Sequence, residues 1–279
     1  MPNYNAIRTA DETLRKNTTT DSGRVAAIYG IYEDGNIIER GPFIRQDWLN
    51  ELDLEAPVTY EEYEDVLSAF KSEYDAKAPY HISPDGGVTS NYLSAGYGVA
   101  TDTFGRYAFV VVDGEVQCCP IMDGYREYLT MLNRWYEKGL INPDFSALSY
   151  NGGNFDTSWI GSNDIGILIA QPEQLDEFNN LASDPDFELT AIKDARKNAD
   201  DVNHLQSPGQ VLGLNYNIAA DVEDLELVCR YMDYLYTDEG YLLANYGIEG
   251  ESYEMVDGKP QFTDMMYHSD SSLSVMLTL

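Results

Sequence analysis

The chain has 279 residues, of which 43% are hydrophobic and 12% aromatic, and this composition provides a substantial core and excludes a wholly disordered protein. Acidic residues outnumber basic ones 48 to 17, which gives a net charge of −31. Phosphate backbones and anionic membrane surfaces would be repelled, so nucleic-acid binding is not expected. No apolar run in the sequence reaches the length that spans a bilayer.

Cysteine and histidine are too few and too scattered for a disulfide framework or a zinc site. Cys118 and Cys119 are adjacent, and Cys229 stands far from both within a helical pattern. Because successive strand residues point to opposite faces, one of the adjacent pair is expected to be buried and the other to face outward. Three histidines leave a zinc site without closely spaced ligands, so neither a metal nor another cofactor is expected.

The first third of the chain predicts a mixture of short helices and strands. Residues 11–16 favour a short helix, and residues 24–31 favour a strand because they are rich in apolar and β-branched side chains. An apolar run from Gly41 leads into Arg-x-Asp-Trp-Leu, which starts at Arg45 and predicts a turn followed by a short helix.

A longer amphipathic helix is predicted over residues 59–73. Thr59 and Glu62 have the spacing of a capping box, in which the hydroxyl and the carboxylate each bond a free amide of the first turn. Apolar side chains then recur at helical spacing and define one buried face, made of Tyr63, Val66, Leu67 and Phe70.

The middle of the chain predicts a hairpin and a second amphipathic helix. Residues 107–112 and 115–120 are strand-like, and Asp113-Gly114 between them is a strong type I′ turn signal. The helix covers residues 123–138 and ends at Gly139, where a left-handed backbone costs little. Its apolar side is expected to comprise Tyr125, Tyr128, Leu129, Leu132, Trp135 and Tyr136.

Strands and helices continue to alternate to the end of the chain, which favours α/β layers over a sandwich or a bundle. The strand predictions are residues 165–170, 187–192 and 211–219, with a hairpin over 251–262 that turns at Asp257-Gly258. The helix predictions are residues 173–181, a helix that starts between Asp221 and Asp224, and residues 238–245.

Three separated segments resemble one protein family in the same order along the chain. They are the Arg-x-Asp-Trp-Leu segment within residues 41–70, the Gly-Leu-Ile-x-Pro-Asp-Phe segment within 124–145, and the Asp-Tyr-Leu-Tyr to Tyr-Gly-x-Glu-Gly segment within 233–250. Together they resemble the extracellular solute-binding proteins of ABC importers, in the carbohydrate-binding lipoprotein branch. Residues 21–31 are similar to the strand that enters the second lobe in that family.

The resemblance implies a periplasmic-binding-protein-like α/β architecture of two lobes. Residues 1–30 and 210–279 would form an incomplete first lobe, and residues 31–209 the second lobe. The family likeness starts well inside the first lobe and stops short of its usual terminal helices, so we expect a sequence truncated at both ends, without an export signal.

The function that the resemblance implies is binding of an oligosaccharide between two lobes for import, with no chemistry performed. The expected partners are the sugar and the ABC permease subunits in the membrane, and the protein is expected to be a monomer. Its expected location is extracellular, anchored through a lipoprotein N-terminus that this sequence does not contain.

Two other functions stay open from the residues alone. No Gly-x-Ser-x-Gly, phosphate-binding loop or His-Glu-x-x-His motif is present, so no catalytic residue is assigned. With 48 acidic residues, however, counting cannot exclude a carboxylate pair, and a secreted glycan-hydrolase domain is one alternative. The other is a truncated remnant that no longer binds ligand.

A sugar-binding cleft needs aromatic rings that stack on pyranose faces and planar polar side chains that bond hydroxyls. Trp159 is a stacking candidate because it lies in a segment rich in Gly, Asn and Ser, although it could equally fill a small core. Gln171 and Gln174 follow the 165–170 strand, where the family's ligand-facing loop falls; the alternative is an ordinary helix start. Arg45 either faces the cleft or pairs with Asp47.

Three further candidates come from the resemblance and from the 22 tyrosines, whose rings suit half-buried sugar clefts. Tyr246 and Glu249 belong to the Tyr-Gly-x-Glu-Gly match near the expected hinge. Glu249 either bonds a ligand hydroxyl or fastens the backbone of its own loop. Tyr97 is an aromatic candidate at an expected helix end.

Overall fold

The computed structural model describes residues 1–31, 40–82, 92–100, 108–145, 157–201 and 210–267. The chain divides into two compact units. Unit 1 is Met1–Ile37 together with Ser207–Leu279, and unit 2 is Ile38–Gln206.

The helices and strands alternate along the chain, as the sequence predicted. The helices are α1 Pro2–Arg8, α2 Glu12–Asn17, α3 Gln46–Glu51, α4 Tyr60–Tyr74, α5 Asp123–Glu137, α6 Ser158–Gly161, α7 Leu175–Leu181, α8 Leu225–Tyr234, α9 Asp238–Tyr246 and α10 Asp264–Tyr267. The strands are β1 Ile28–Ile31, β2 Gly41–Arg45, β3 Ala78–Tyr80, β4 Phe109–Val112, β5 Glu115–Cys118, β6 Ile165–Ala170, β7 Leu189–Ala191, β8 Val211–Tyr216, β9 Tyr253–Val256 and β10 Lys259–Phe262.

The centre of unit 2 is a four-stranded sheet in the order β3-β6-β2-β7. β3 runs parallel to β6, and β2 is antiparallel to both β6 and β7. β6 is buried along its whole length, as expected for a continuous apolar strand covered on both faces. Ile167 and Ile169 contribute to one buried cluster, whereas Leu168 and Ala170 contribute to a second one.

Helix α4 confirms the predicted capping box. Thr59 Oγ1 accepts from the amide of Glu62 at 3.3 Å, and Glu62 Oε2 accepts from the amide of Thr59 at 2.8 Å. The four apolar residues predicted for its inner face are all buried in the first cluster. The helix ends at Asp75, whose φ of 49° is left-handed and stops the helical ladder.

Helix α5 packs against α4 through one carboxylate. Glu64 accepts from Arg134 Nη2 at 2.6 Å, from Trp135 Nε1 at 2.9 Å and from Lys138 Nζ at 2.6 Å. Burial by itself would raise the pKa of Glu64, but the hydrogen bonds from these three donors outweigh it and lower the pKa to about 2. The two helices are therefore joined by a carboxylate that stays ionised.

The predicted apolar side of α5 is only partly correct. Tyr128, Met131 and Trp135 are buried, and Gly139 has the expected left-handed φ of 69°. Leu129 and Tyr136, however, are exposed. They follow Tyr128 and Trp135 by one residue, and the 100° step between neighbouring residues carries them out of the buried face.

The hairpin of β4 and β5 confirms the type I′ turn. Asp113 and Gly114 both have positive φ, 52° and 82°, as that turn requires. Cys119 is buried and Cys118 is half-buried, so the adjacent cysteines differ in the expected sense. β5 is shorter than predicted, because the residues after Cys118 form a 3₁₀ turn instead of extended chain, and residue 107, where the first strand was predicted to start, lies outside the described residues.

In unit 1, β1 and β8 form an antiparallel pair, and β9 and β10 form a hairpin that turns at Asp257-Gly258 as predicted. Both strands of the pair are shorter than predicted, starting at Ile28 and ending at Tyr216. Asp224 caps α8 by accepting from an amide of its first turn. In the described part of the chain, no helix has both the length and the apolarity needed to cross a bilayer.

Candidate functional site

The most suggestive region of unit 2 is the edge of the sheet where β3 and β6 end. Because these strands are parallel, their carboxyl ends meet at one edge, and in open α/β sheets ligands bind at such an edge. His81 follows β3, and Gln171 follows β6. β2 starts at the same edge, since Gly41 is the register partner of Ala170.

Gln171 and Gln174 form a turn at this edge. The oxygen of each side chain accepts from the backbone amide of the other residue, with Gln174 Oε1 lying 2.9 Å from Gln171 N. Both side chains are half-buried. Capping thus uses the oxygen atoms of the amides, while the NH₂ groups are the donors that a hydroxyl-bearing ligand needs. The ordinary helix-start role and a ligand-binding role are therefore compatible.

A neighbouring buried amide fixes the backbone that extends β3. Asn142 Oδ1 accepts from the Ile82 amide at 2.7 Å, and Asn142 Nδ2 donates to the Ile82 carbonyl at 3.0 Å. Tyr80 N also donates to Leu140 O at 2.9 Å. Sequence reasoning missed this role of Asn142, although it occupies the variable position of the Gly-Leu-Ile-x-Pro-Asp-Phe segment.

Trp159 lies in α6 and packs, half-buried, against the second buried cluster. Its ring meets the ring of buried His81 in an edge-to-face arrangement, with centroids 5.6 Å apart. Trp159, the predicted stacking residue, is therefore in contact with His81, the residue that follows β3. His81 is one of three scattered histidines in the sequence, and nothing in its local sequence signals this contact.

Tyr97 already has aromatic and cationic neighbours. Its ring stacks on that of Tyr60 at 4.5 Å, and Lys197 Nζ lies 4.9 Å from its centroid. Burial raises the pKa of Tyr97 to about 12. Since one ring face is used within the protein, we assign Tyr97 mainly to packing.

Arg45 is completely buried and has a dense set of partners. Its Nε donates to both carboxylate oxygens of Asp47, at 2.8 and 3.1 Å, and its Nη2 lies 3.2 Å from Asp184 Oδ2. The guanidinium also lies over the rings of Trp48 and Phe187, 4.2 and 4.7 Å from their centroids. Of the two roles that the sequence left open, the structure shows the pairing with Asp47, and no surface is left for a ligand.

Tyr246 and Glu249 belong to unit 1. The Tyr246 ring packs within an aromatic group, with Phe262 closest at 5.2 Å between centroids. Ser252 Oγ donates to Tyr246 O at 2.6 Å, and Gly247 with φ 84° has no room for a Cβ beside that hydroxyl. Glu249 is exposed, and its backbone forms a bridge with Tyr253. The Tyr-Gly-x-Glu-Gly segment is therefore fastened chiefly through its backbone.

The described ranges bring no group of three or more His, Cys, Asp or Glu side chains close enough to hold a metal ion. In unit 2, His81 follows β3 and contacts the ring of Trp159, while Gln171 and Gln174 form the turn that follows β6. Such groups bind and orient a polar ligand.

No family model matches the chain. The lipoprotein LipO of Bacillus subtilis is 25% identical over 286 residues, which cover 98% of this chain and 54% of LipO. The polygalacturonan/rhamnogalacturonan-binding protein YtcQ of the same organism is 25% identical over 92% of this chain and 50% of YtcQ. The fructooligosaccharide ABC transporter substrate-binding protein FusA of Streptococcus pneumoniae is 27% identical over 54% of this chain and 30% of FusA.

Two of these relatives are thus named as sugar-binding proteins, and one of the two, FusA, as the substrate-binding protein of an ABC transporter. The resemblance found in the three sequence segments is thereby confirmed. The crystal structure of the alginate-binding protein AlgQ2 without calcium ion matches 99% of this chain and 57% of its own, with a TM-score of 0.70 at 21% identity. This match confirms the predicted fold. The chain spans about half the length of LipO, YtcQ and AlgQ2.

Proposed function

We propose that this chain is the ligand-binding part of a sugar importer, and that it binds an oligosaccharide and releases it unchanged. The observation that carries the proposal is the match to the polygalacturonan/rhamnogalacturonan-binding protein YtcQ over 92% of the chain. It is supported by the names of YtcQ and FusA, which describe binding of polygalacturonan or rhamnogalacturonan and of fructooligosaccharides. These are binding proteins, so we infer binding and not hydrolysis.

The proposed contacts in unit 2 are Trp159, Gln171 and Gln174. An indole ring supplies the apolar face on which a pyranose stacks, and the two amide NH₂ groups supply donors for hydroxyls. Tyr246 and Glu249 are the proposed contributors from unit 1. The exposed carboxylate of Glu249 is suited to accept from sugar hydroxyls.

The partners and location follow from the same proposal. We infer that the protein acts outside the cell, attached to the membrane as a lipoprotein, and delivers ligand to ABC permease subunits. Units 1 and 2 would correspond to the first and second lobes predicted from the sequence. We further infer that the protein is a monomer, because a net charge of −31 opposes self-association.

The test is isothermal titration calorimetry with fructooligosaccharides, oligogalacturonides and alginate oligosaccharides. We expect at least one of them to bind, and Trp159→Ala to weaken its Kd at least tenfold, or about 1.4 kcal/mol. Trp159→Phe should recover part of that loss, which a disrupted fold would not permit. Circular dichroism of each variant checks the fold.

The glutamine contacts need substitutions that keep the turn. Gln171→Glu and Gln174→Glu retain the capping oxygen but remove the NH₂ donors, so each should weaken binding without unfolding the turn. Gln117→Glu on β5 adds the same charge elsewhere and is the matched control. If none of the oligosaccharides binds while circular dichroism shows a folded protein, the result would favour the truncated remnant that no longer binds ligand. Shortened oligosaccharides detected by chromatography would favour a hydrolase.

A further inference from the structure

Helix α6, which carries Trp159, is only one turn long. Its residues, Ser158–Gly161, cannot hold a helix by themselves, because short helices are marginal in water and depend on tertiary contacts. One contact of this turn is made by Ile160, which is fully buried in the second cluster. A single buried side chain leaves the turn free to rotate about it, so the direction of the Trp159 ring depends on contacts elsewhere in the turn.

The turn ends in a Schellman motif centred on Asn163. The amide of Asn163 donates to Ile160 O at 3.1 Å, and the amide of Asp164 donates to Trp159 O at 3.4 Å. Asn163 has a left-handed φ of 58°, the conformation that this motif requires and for which glycine is the usual residue. The backbone of Trp159 is therefore bonded to the turn that Asn163 forms.

Asparagine at this position brings a side chain that glycine would lack. Its Oδ1 accepts from Arg45 Nη1, and its Nδ2 lies 3.4 Å from Asp184 Oδ2. Arg45 is fully buried, and its Nη2 lies 3.2 Å from the same oxygen of Asp184. Each of the three side chains thus contacts the other two. Because Arg45 is the last residue of β2, these contacts join the end of α6 to the central sheet.

The aromatic neighbour of Trp159 is fixed to the same sheet. The amide of His81 donates to Ile167 O in β6 at 2.8 Å, and the His81 ring meets the Trp159 ring edge to face. His81 is therefore held by the sheet and would not follow a rotation of α6. The contact between the two rings is kept only while the end of α6 stays in place.

We propose that Asn163 is a positioning residue for ligand binding, which through its contacts with Arg45 and Asp184 holds the Trp159 ring in the direction on which a sugar stacks. The inference rests on the proposed function, in which Trp159 is the stacking contact. Asn163 itself does not touch the sugar. Arg45, which has no surface left for a ligand, contributes to binding through Asn163.

The direction of the ring can be measured without a ligand. Incorporated fluorotryptophan gives three fluorine NMR signals, one for each tryptophan, and Trp159→Phe identifies the signal of Trp159. Asn163→Gly keeps the left-handed backbone but removes the side chain, so we expect it to shift the Trp159 signal and leave that of Trp135 in place. The matched control is Asp113→Gly, which makes the same kind of change at the left-handed turn of the β4–β5 hairpin and should shift no signal.

Calorimetry with the oligosaccharide that binds gives a second readout. Asn163→Gly should weaken its Kd about fivefold, less than Trp159→Ala does, because the ring is misdirected and not removed. In the Trp159→Ala background, Asn163→Gly should cause no further loss, since it acts through that ring. Asn163→Asp/Asp184→Asn exchanges the amide and the acid around Arg45, and it should return both the fluorine signal and the Kd toward those of the unaltered chain.

The proposal would be overturned if the Trp159 signal did not move in Asn163→Gly, even where the free energy of unfolding fell, since Asn163 would then serve stability alone. A further loss of affinity in the Trp159→Ala background would also overturn it. If the unaltered chain binds none of the oligosaccharides, the proposed function fails by that result. The fluorine signal then still decides whether Asn163 positions the ring.

Discussion

Replacing Glu64 with glutamine tests whether one ionised carboxylate joins α4 to α5. The carboxylate accepts from Arg134, Trp135 and Lys138, and its side chain is 14% exposed. Glutamine keeps one acceptor oxygen, which preserves a bond to the indole, but it removes the charge that pairs with the two cations. Those cations are half-exposed, so solvent screens each pair to about 0.5–1 kcal/mol. We therefore expect Glu64→Gln to lower the free energy of unfolding by about 1–2 kcal/mol.

The same substitution has a predicted pH dependence. The pKa of Glu64 falls from an ordinary value of 4.5 to about 2 on folding, so its stabilisation is complete above pH 4.5. As the pH drops through that window toward 2, protons bind the unfolded chain first and the stabilisation is lost. The difference between the unaltered chain and Glu64→Gln should therefore be largest near neutral pH and shrink progressively toward pH 2.

Urea unfolding followed by tryptophan fluorescence measures this in unit 2 alone, because Trp48, Trp135 and Trp159 are all the tryptophans of the chain and all lie there. Far-ultraviolet circular dichroism gives a second readout that does not depend on the indole bound to Glu64. Asp65→Asn, an exposed acidic residue of the same helix, is the control. The reasoning would be refuted if Glu64→Gln lowered the free energy of unfolding no more than Asp65→Asn does. It would also be refuted if the difference in that free energy between the unaltered chain and Glu64→Gln stayed constant down to pH 2.

Three other substitutions probe unit 2 by the same fluorescence assay. Arg45→Met should cost about 3–5 kcal/mol, because it leaves two buried or half-buried carboxylates without their cation; an effect below 1 kcal/mol would contradict the buried network. Asn142→Ala should cost about 2–4 kcal/mol, since both backbone groups of Ile82 lose their buried partners, and Asn142→Asp should restore one bond. Gly166→Ala puts a Cβ 2.5 Å from a ring carbon of Phe70 and 2.6 Å from the carbonyl oxygen of Pro79, so unfolding should become easier by at least 1 kcal/mol, and shortening Phe70 to Leu as well should not restore stability because the backbone contact remains.

Local signals in the sequence were sufficient for the elements and several of their ends. The capping box of Thr59 and Glu62 lies within one helical turn, and the positive φ of Asp113-Gly114 and Asp257-Gly258 follows from residue types alone. The predicted lengths of strands were wrong where tertiary contacts decide where a strand begins or ends. β1 was predicted four residues too long at its start, because apolar residues that are β-prone in isolation form ladder bonds only where a partner strand lies alongside.

For the candidate site too, the sequence predicted features that depend on neighbouring residues but not contacts between residues far apart in the chain. Gln171 and Gln174 were predicted as ligand contacts because they follow the 165–170 strand, where the family's ligand-facing loop falls, and they do form the turn after that strand. The contact of His81 with Trp159 and the pairing of Arg45 with Asp184 join residues 78 and 139 positions apart. With 48 acidic residues in the chain, the sequence offers many equivalent partners for one arginine, and the fold alone selects among them.

The three segments that carry the family resemblance contain residues that hold the scaffold together. In Arg-x-Asp-Trp-Leu, Arg45 donates to Asp47 and lies over the ring of Trp48, so three of its residues bind one another. The amide of Asn142 holds the backbone beside β3, and Gly247 makes room for a clamping hydroxyl. Residues that fix a fold can be shared by proteins that bind different sugars. Arg-x-Asp-Trp-Leu contains none of the proposed sugar contacts, so exchanging that segment should alter the free energy of unfolding while the order of preferred glycans stays unchanged.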